Sequence, residues 1–184
     1  MDNVFVYGTL KPGERNYWVC ARDVVSVRPA IAPGYLYALP FGYPAMTIGS
    51  GTVRGFLLSL DNPQCLTRLD EFEQHDPSEF RRYKPDLIFA ENQYERKQIE
   101  VMELNQNRQV SHDGSNEQFK FQTIGSGRVD RGSPHKNLHS TTLRTAWAYL
   151  MTTEQVVQLG GVPLPDGEWN PQKQKAAFSA HSQS

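Results

Sequence analysis

Short runs of apolar and β-branched residues, separated by turns rich in Gly and Pro, dominate the first sixty residues of the chain. The run from Val4 to Tyr7 stops at Gly8, which predicts a buried strand followed by a loop. Gly49-Ser50-Gly51 lies between two apolar runs and predicts a hairpin turn. Three strands are predicted in this part of the chain, at residues 32–39, 43–48 and 52–60.

Two helices are predicted beside these strands. The pattern of residues 16–24 favours a short helix with Trp18 and Val19 facing inward. Asp61-Asn62-Pro63 is typical of a helix start, because polar side chains cap the first turn and Pro is tolerated there. Apolar residues then recur at helical spacing, and Pro77 is expected to end this second helix.

The second half of the chain changes in composition. Residues 80–89 and 98–104 predict a further strand pair, and the apolar run at 145–150 predicts a central strand. Residues 105–142 are rich in Gln, Asn, Ser, Gly and His, so we expect a flexible insertion in a single domain of residues 1–170. Residues 171–184 are expected to be a disordered tail. The pattern as a whole predicts an α+β fold, with a small mixed sheet that closes toward a barrel and short flanking helices.

Composition and charge exclude several classes of protein. The chain has 19 Lys and Arg residues against 20 Asp and Glu, which argues against a nucleic-acid-binding protein with a dominant basic face. Two cysteines, Cys20 and Cys65, are too few for a disulfide framework. No apolar run approaches the roughly 20 residues of a membrane helix, and no secretory signal is visible. We therefore expect a cytoplasmic protein with no membrane or nucleic-acid partner.

Two short motifs are candidates for chemistry. Tyr7-Gly8-Thr9-Leu10 puts consecutive backbone N–H groups at a turn, which suits an anion or a developing oxyanion. Asp70 and Glu73 lie on one helical face, and Glu73 follows Phe72 near the helix end, where a carboxylate with a raised pKa can act as a general base. An ordinary strand-to-loop turn and a solvated acidic helix surface are the commoner readings of these two patterns.

Cysteine and metal chemistry have weaker support. Cys20 and Cys65 lie in apolar company, where cysteine is usually a small core residue. His135 and His139 have i, i+4 spacing and His112 lies in the same polar segment, but no carboxylate of the zincin type is nearby. We expect these histidines to be solvated and predict no metal site.

Several segments together carry a family resemblance. They are Val4 to Lys11, Gly34-Tyr35-Leu36-Tyr37, Gly42-Tyr43-Pro44-Ala45, Val53-Arg54-Gly55, Leu69-Asp70-Glu71-Phe72-Glu73, Tyr83, Trp147-Ala148-Tyr149 and Asp166-Gly167-Glu168-Trp169. The set resembles the gamma-glutamylcyclotransferase-like (AIG2-like) superfamily, which includes gamma-glutamylamine cyclotransferase-type proteins. The resemblance covers about residues 1–104 and 145–169. It departs after Glu73, where Gln74 and His75 replace the Gly of many members.

The resemblance implies a barrel-like mixed sheet and an intramolecular aminolysis. A gamma-glutamyl amide or peptide would release 5-oxoproline and an amine or amino acid, with Glu73 as general acid and base. Tyr7, Gly8, Thr9, Leu10 and Tyr83 would bind this small-molecule substrate, and no metal or organic cofactor would be required.

Two alternatives stay open at this point. One is a non-catalytic module on the same fold that binds a small molecule or a protein. The other places a protein partner on the insertion at residues 105–142, which has no counterpart in the compact family pattern. The residues do not distinguish gamma-glutamyl amino acids, gamma-glutamylamines and glutathione-like peptides as substrates.

Overall fold

The computed structural model describes residues 1–73, 94–104 and 142–181. Its strands are β1 (Asp2–Val6), β2 (Val24–Ala38), β3 (Pro44–Leu60), β4 (Glu95–Glu103), β5 (Thr142–Leu150) and β6 (Val162–Pro163). Its α-helices are α1 (Gln64–Glu73), α2 (Thr153–Gln158) and α3 (Pro171–His181), and two 3-10 helices span Tyr17–Val19 and Ala21–Asp23.

Five of the strands close into a barrel. β3 pairs antiparallel with both β1 and β2, β2 pairs with β4, and β4 pairs with β5. β5 completes the ring by pairing in parallel with β1, while the short β6 adds to the far end of β2. This confirms the predicted α+β fold on a mixed, barrel-like sheet, and it confirms the central position of the 145–150 strand.

The hairpin predicted at Gly49-Ser50-Gly51 is wrong. These three residues lie inside β3, where its register with β2 shifts between Pro33 and Tyr35, and the chain reverses between residues 39 and 43 instead. A Cβ on Gly49 would come within 2.3 Å of the Tyr35 ring, and one on Gly51 within 2.9 Å. The two glycines therefore leave room for an aromatic ring across the strand and do not form a turn.

Alternation along β1 determines where helix α1 packs. Phe5 and Tyr7 join the cluster to which all five barrel strands contribute, while Val4 and Val6 face the opposite side. On that outer side they pack in one cluster with the buried residues of α1, Cys65 and Leu69. The start of α1 follows the prediction, since the Asn62 side-chain oxygen accepts from the Gln64 N–H at 3.0 Å. The helix thus ends beside the loop that follows β1.

The disordered tail predicted from residue 171 onward is wrong for residues 171–181, which form α3. Gln174 is buried and holds this helix against the barrel. Its side-chain oxygen accepts from the Trp169 indole N–H at 2.8 Å, and its side-chain nitrogen donates to the Leu39 carbonyl. The tail therefore orders through contacts with residues distant in sequence.

The remaining predictions had mixed outcomes. The segment at 16–24 forms the two 3-10 helices, with Val19 buried as expected but Trp18 71% exposed. Pro77, the predicted strand at 80–89 and the insertion up to residue 141 lie outside the described residues. Glu103 and Thr142, which flank the insertion, are register partners in β4 and β5. No helix in the described ranges is long and apolar enough to cross a membrane.

Candidate active site

A cavity of about 150 Å³ opens where β1 ends, between the following loop, the start of β3 and the last turn of α1. Its lining comprises Phe5, Val6, Tyr7, Gly8, Thr9, Leu10, Arg15, Asn16, Tyr43, Pro44, Phe72, Glu73, Tyr94 and Tyr149. The fold thus brings Glu73 and residues 7–10, predicted from two separate motifs, to one cavity. Tyr83, the remaining predicted site residue, lies outside the described residues.

The loop after β1 is a tight turn fixed by its own backbone and by Asn16. The Lys11 N–H donates to the Gly8 carbonyl at 3.1 Å, and Asn16 donates from its backbone and side-chain nitrogens to Thr9 at 3.0 Å each. Within the described part of the chain, the N–H groups of Gly8, Thr9 and Leu10 have no acceptor. Three consecutive donors without an acceptor among the described residues, in the lining of a cavity, suit an anionic oxygen.

Gly8 allows this loop to lie against the start of β3. A Cβ on Gly8 would come within 2.7 Å of the Pro44 ring, closer than side chains tolerate. The absence of a side chain at Gly8 therefore makes room for the Pro44 ring.

Lys11 anchors the far end of the same loop. Its side chain is buried, its ammonium donates to the Trp169 carbonyl, and it lies 5.6 Å from the centre of the Trp169 ring. Burial lowers the pKa of Lys11. Trp169, which ends the last segment of the family resemblance, thus supports this loop through Lys11.

Glu73 is the acidic residue of the cavity lining. Burial among the surrounding groups raises the pKa of its carboxyl to about 8. A carboxyl with such a pKa exchanges protons close to neutral pH, which is the property expected of a general acid and base. A solvated helix surface would leave the pKa near its ordinary value, so the raised pKa argues against a fully solvated carboxyl.

Three phenols line the same cavity as the Glu73 carboxyl and act as donors. Tyr7 donates to the Tyr149 carbonyl at 2.5 Å, Tyr94 to the Pro44 carbonyl at 2.8 Å, and Tyr149 to the Asp70 side chain at 2.8 Å. Burial is the largest cause of the raised pKa of each phenol, with the Glu73 charge contributing to each. All three therefore keep their protons at neutral pH.

Arg15 supplies positive charge at the mouth of the cavity. It is the basic residue of the lining, it is exposed, and it forms no ion pair with any residue in the described ranges. One guanidinium nitrogen lies about 4.0 Å from where a Cβ on Gly42 would stand, which places the side chain beside the turn between β2 and β3.

Most of the lining residues carried no site prediction from the sequence. Tyr149 was seen only as part of a core strand, and Arg15, Asn16, Tyr43 and Tyr94 carried no signal as site residues. Each reaches the cavity through strand pairing or loop packing, which a local motif does not reveal.

Cysteine catalysis has no support here. Cys20 and Cys65 are both buried, and burial raises the pKa of Cys20 to about 12. A thiol of that pKa is not ionised at neutral pH. Among the described residues no three His, Cys, Asp or Glu side chains gather to hold a metal ion, and the histidines at 112, 135 and 139 lie outside them.

Comparison with known proteins identifies the family of this chain. Residues 4–171 match the family model "Gamma-glutamyl cyclotransferase, AIG2-like". The chain is 33% identical over 75 residues to a gamma-L-glutamyl-butirosin B gamma-glutamyl cyclotransferase of Niallia circulans, a match that covers 41% of this chain and 47% of that relative. The aligned part thus spans about half the length of the curated relative.

A solved structure shares the fold. The crystal structure of an AIG2-like protein from Mus musculus superposes with a TM-score of 0.52 at 18% identity, over 92% of this chain and 88% of that one. The family model spans nearly all of the chain and the barrel matches in arrangement. This protein therefore belongs to the gamma-glutamyl cyclotransferase, AIG2-like family.

Proposed function

We propose that the protein is a gamma-glutamyl cyclotransferase. The observation that carries the proposal is the meeting, in one cavity, of the Glu73 carboxyl with the N–H groups of residues 8–10, which have no acceptor among the described residues. The substrate's α-amine attacks its own γ-carbonyl carbon, a new C–N bond closes the five-membered ring, and the bond to the leaving amine breaks. The products are 5-oxoproline and an amine or amino acid.

Glu73 moves the protons in this scheme. The α-amine is an ammonium near neutral pH and attacks only after it loses a proton, which the ionised Glu73 accepts. Two protons pass in all from the attacking nitrogen to the leaving nitrogen, and Glu73 carries them one at a time. A carboxyl with a pKa of about 8 suits both directions of transfer, because donor and acceptor are then closely matched.

The loop after β1 stabilises negative charge in the scheme. The N–H groups of Gly8, Thr9 and Leu10 bind the substrate carboxylate or the oxyanion that forms at the γ-carbon. Ring closure is intramolecular, so the protein contributes mainly orientation and a proton route. Tyr83 remains a proposed substrate-binding residue, and no step requires a cofactor.

Arg15 bears on the choice among gamma-glutamyl compounds. Its position at the mouth of the cavity, without an acidic partner in the described ranges, favours a leaving group that carries a carboxylate. Gamma-glutamyl amino acids and peptides are therefore proposed as better substrates than gamma-glutamylamines.

The direct test is release of 5-oxoproline from a panel of gamma-glutamyl amino acids, gamma-glutamylamines and glutathione. The parent protein should release it, and Glu73→Gln should lose at least about a hundredfold in rate. Glu71→Gln, on the exposed side of the same helix, is the matched control and should keep parental activity. No release from any compound, with binding retained, would instead favour the non-catalytic module.

A further inference from the structure

We propose that Tyr149, through Asp70, is a positioning residue that holds Glu73 against the opposite wall of the cavity. The proposal rests on the proposed role of Glu73 as the general base. It concerns Tyr149 and Asp70, which have no role in the proposed reaction.

Asp70 accepts hydrogen bonds from two side chains of the barrel. It lies one helical turn before Glu73 on the same face of α1. One of its oxygens accepts from the Tyr149 phenol at 2.8 Å, and the other accepts from the Arg96 guanidinium at 2.8 Å. Both oxygens are thus bound by donors that belong to the barrel, and hydrogen bonds to a carboxylate are the stronger kind.

The two donors are held in place by the sheet. Arg96 and Tyr149 are register partners on β4 and β5, so they stand side by side. The Arg96 guanidinium also lies 4.8 Å from the centre of the Trp147 ring, two residues along β5. Strand pairing and this cation–π contact fix the direction from which Asp70 is bound.

Tyr149 also contacts the other wall of the cavity. Its backbone carbonyl accepts from the Tyr7 phenol at 2.5 Å, while its own phenol reaches α1. One residue therefore sets the spacing between the wall that carries Tyr7 and the helix that carries Glu73. Displacement of a reacting group by about 1 Å can cost a hundredfold in rate.

Other contacts keep α1 on the barrel. Cys65 and Leu69 are fully buried, and Arg68 pairs with Asp23 near the beginning of the helix. Loss of the Tyr149 hydrogen bond should therefore shift the last turn without releasing the helix. A variant that lowers kcat while α1 stays packed on the barrel would therefore indicate a positioning role and not a structural one.

The first test is kinetic. Tyr149→Phe keeps the ring and the backbone carbonyl, and Asp70→Asn keeps the size of the acceptor. Each should lower kcat about 10- to 100-fold with KM changed less than about threefold. The control is Arg144→Gln, which breaks a partly buried ion pair with Glu103 on the same two strands, away from the cavity lining. Equal kcat losses in all three variants would overturn the proposal.

The second test does not depend on turnover. Because surrounding groups desolvate the Glu73 carboxyl, Glu73→Gln should raise the melting temperature at pH 9. This gain should shrink by about half or more when Tyr149→Phe lets the carboxyl move toward water. The phenols of Tyr7, Tyr94 and Tyr149 have raised pKa values and stay protonated in this range. A gain in melting temperature that is unchanged by Tyr149→Phe would contradict positioning.

If the parent releases no 5-oxoproline, the proposed function fails, while this measurement still decides the role of Tyr149. Asp70→Asn serves the same comparison if Tyr149→Phe does not fold.

Discussion

Tyr7 and Glu73 line the same cavity but differ in when they give up a proton. Burial, and after it the charge of Glu73, raises the pKa of Tyr7 well above its ordinary value, so the phenol remains a donor to the Tyr149 carbonyl. Burial raises the pKa of Glu73 to about 8. Near neutral pH, Glu73 is therefore the member of this pair that titrates.

The pH dependence of catalysis follows from this difference. Glu73 must be ionised to accept the first proton, so kcat/KM should rise with pH through about 8 and level off above it. Rates of 5-oxoproline release between pH 6 and 9.5 measure this, with the substrate amine titrated separately. A profile that is flat across pH 7 to 9 would contradict ionised Glu73 as the base.

The ionisation of Glu73 that favours catalysis should lower the stability of the fold. Because the folded-state pKa of Glu73 lies above its unfolded value of about 4.3, the folded state binds this proton more tightly. Its contribution is fully present below the unfolded pKa and is lost as pH rises through about 8. Glu73→Gln should therefore melt more than about 4 °C above the parent at pH 9, and within about 2 °C of it at pH 4.5.

Calorimetry or circular dichroism at the two pH values checks that expectation. Glu71→Gln serves again as control, because its exposed carboxyl should change neither melting temperature by more than about 1 °C. A Glu73→Gln variant less stable than the parent at pH 9 would mean that the carboxyl is not desolvated.

Arg15 should set the preference between two kinds of leaving group. With Arg15→Gln, the ratio of kcat/KM for a gamma-glutamyl amino acid over the matching gamma-glutamylamine should fall about tenfold, because one charge-assisted hydrogen bond is lost. Arg22→Gln, an exposed arginine outside the cavity lining, should leave the ratio unchanged. Equal losses for both substrates would assign Arg15 to the glutamyl end of the substrate instead.

Because β1 and β3 lie in close contact at Gly55, a side chain at this position should destabilise the fold. A Cβ on Gly55 would come within 2.3 Å of the Val6 carbonyl oxygen, so Gly55→Ala must push apart the strand that leads into the active-site loop. We expect the free energy of unfolding to fall by more than about 2 kcal/mol, as measured by urea denaturation. Gly13→Ala meets no neighbour and should cost about 1 kcal/mol for its positive φ alone.

The site residues that the sequence alone predicts lie in short contiguous motifs. Glu73 follows an apolar helical pattern, and residues 7–10 follow a strand that ends at Gly8; the family resemblance joined the two. Tyr149 and Arg96 could not be assigned in this way. Their roles depend on the register of β4 against β5, which no local pattern fixes.

The errors in the fold have the same origin. Glycine at 49 and 51 indicates a turn by its local preference, but the ring of Tyr35 needs the space that these glycines leave within a continuous strand. The tail was judged from its composition, whereas Gln174 links it to the Trp169 indole and the Leu39 carbonyl. In both places a distant partner outweighed the local propensity.

Glu103 and Thr142 face each other across β4 and β5, so the chain leaves the barrel and re-enters it at one point. The entropy cost of closing such a connection grows only with the logarithm of its length. A longer or shorter connection between Glu103 and Thr142 should therefore cost the barrel little folding free energy. We therefore expect a fluorescent reporter or an affinity domain inserted between these two residues to leave the barrel folded.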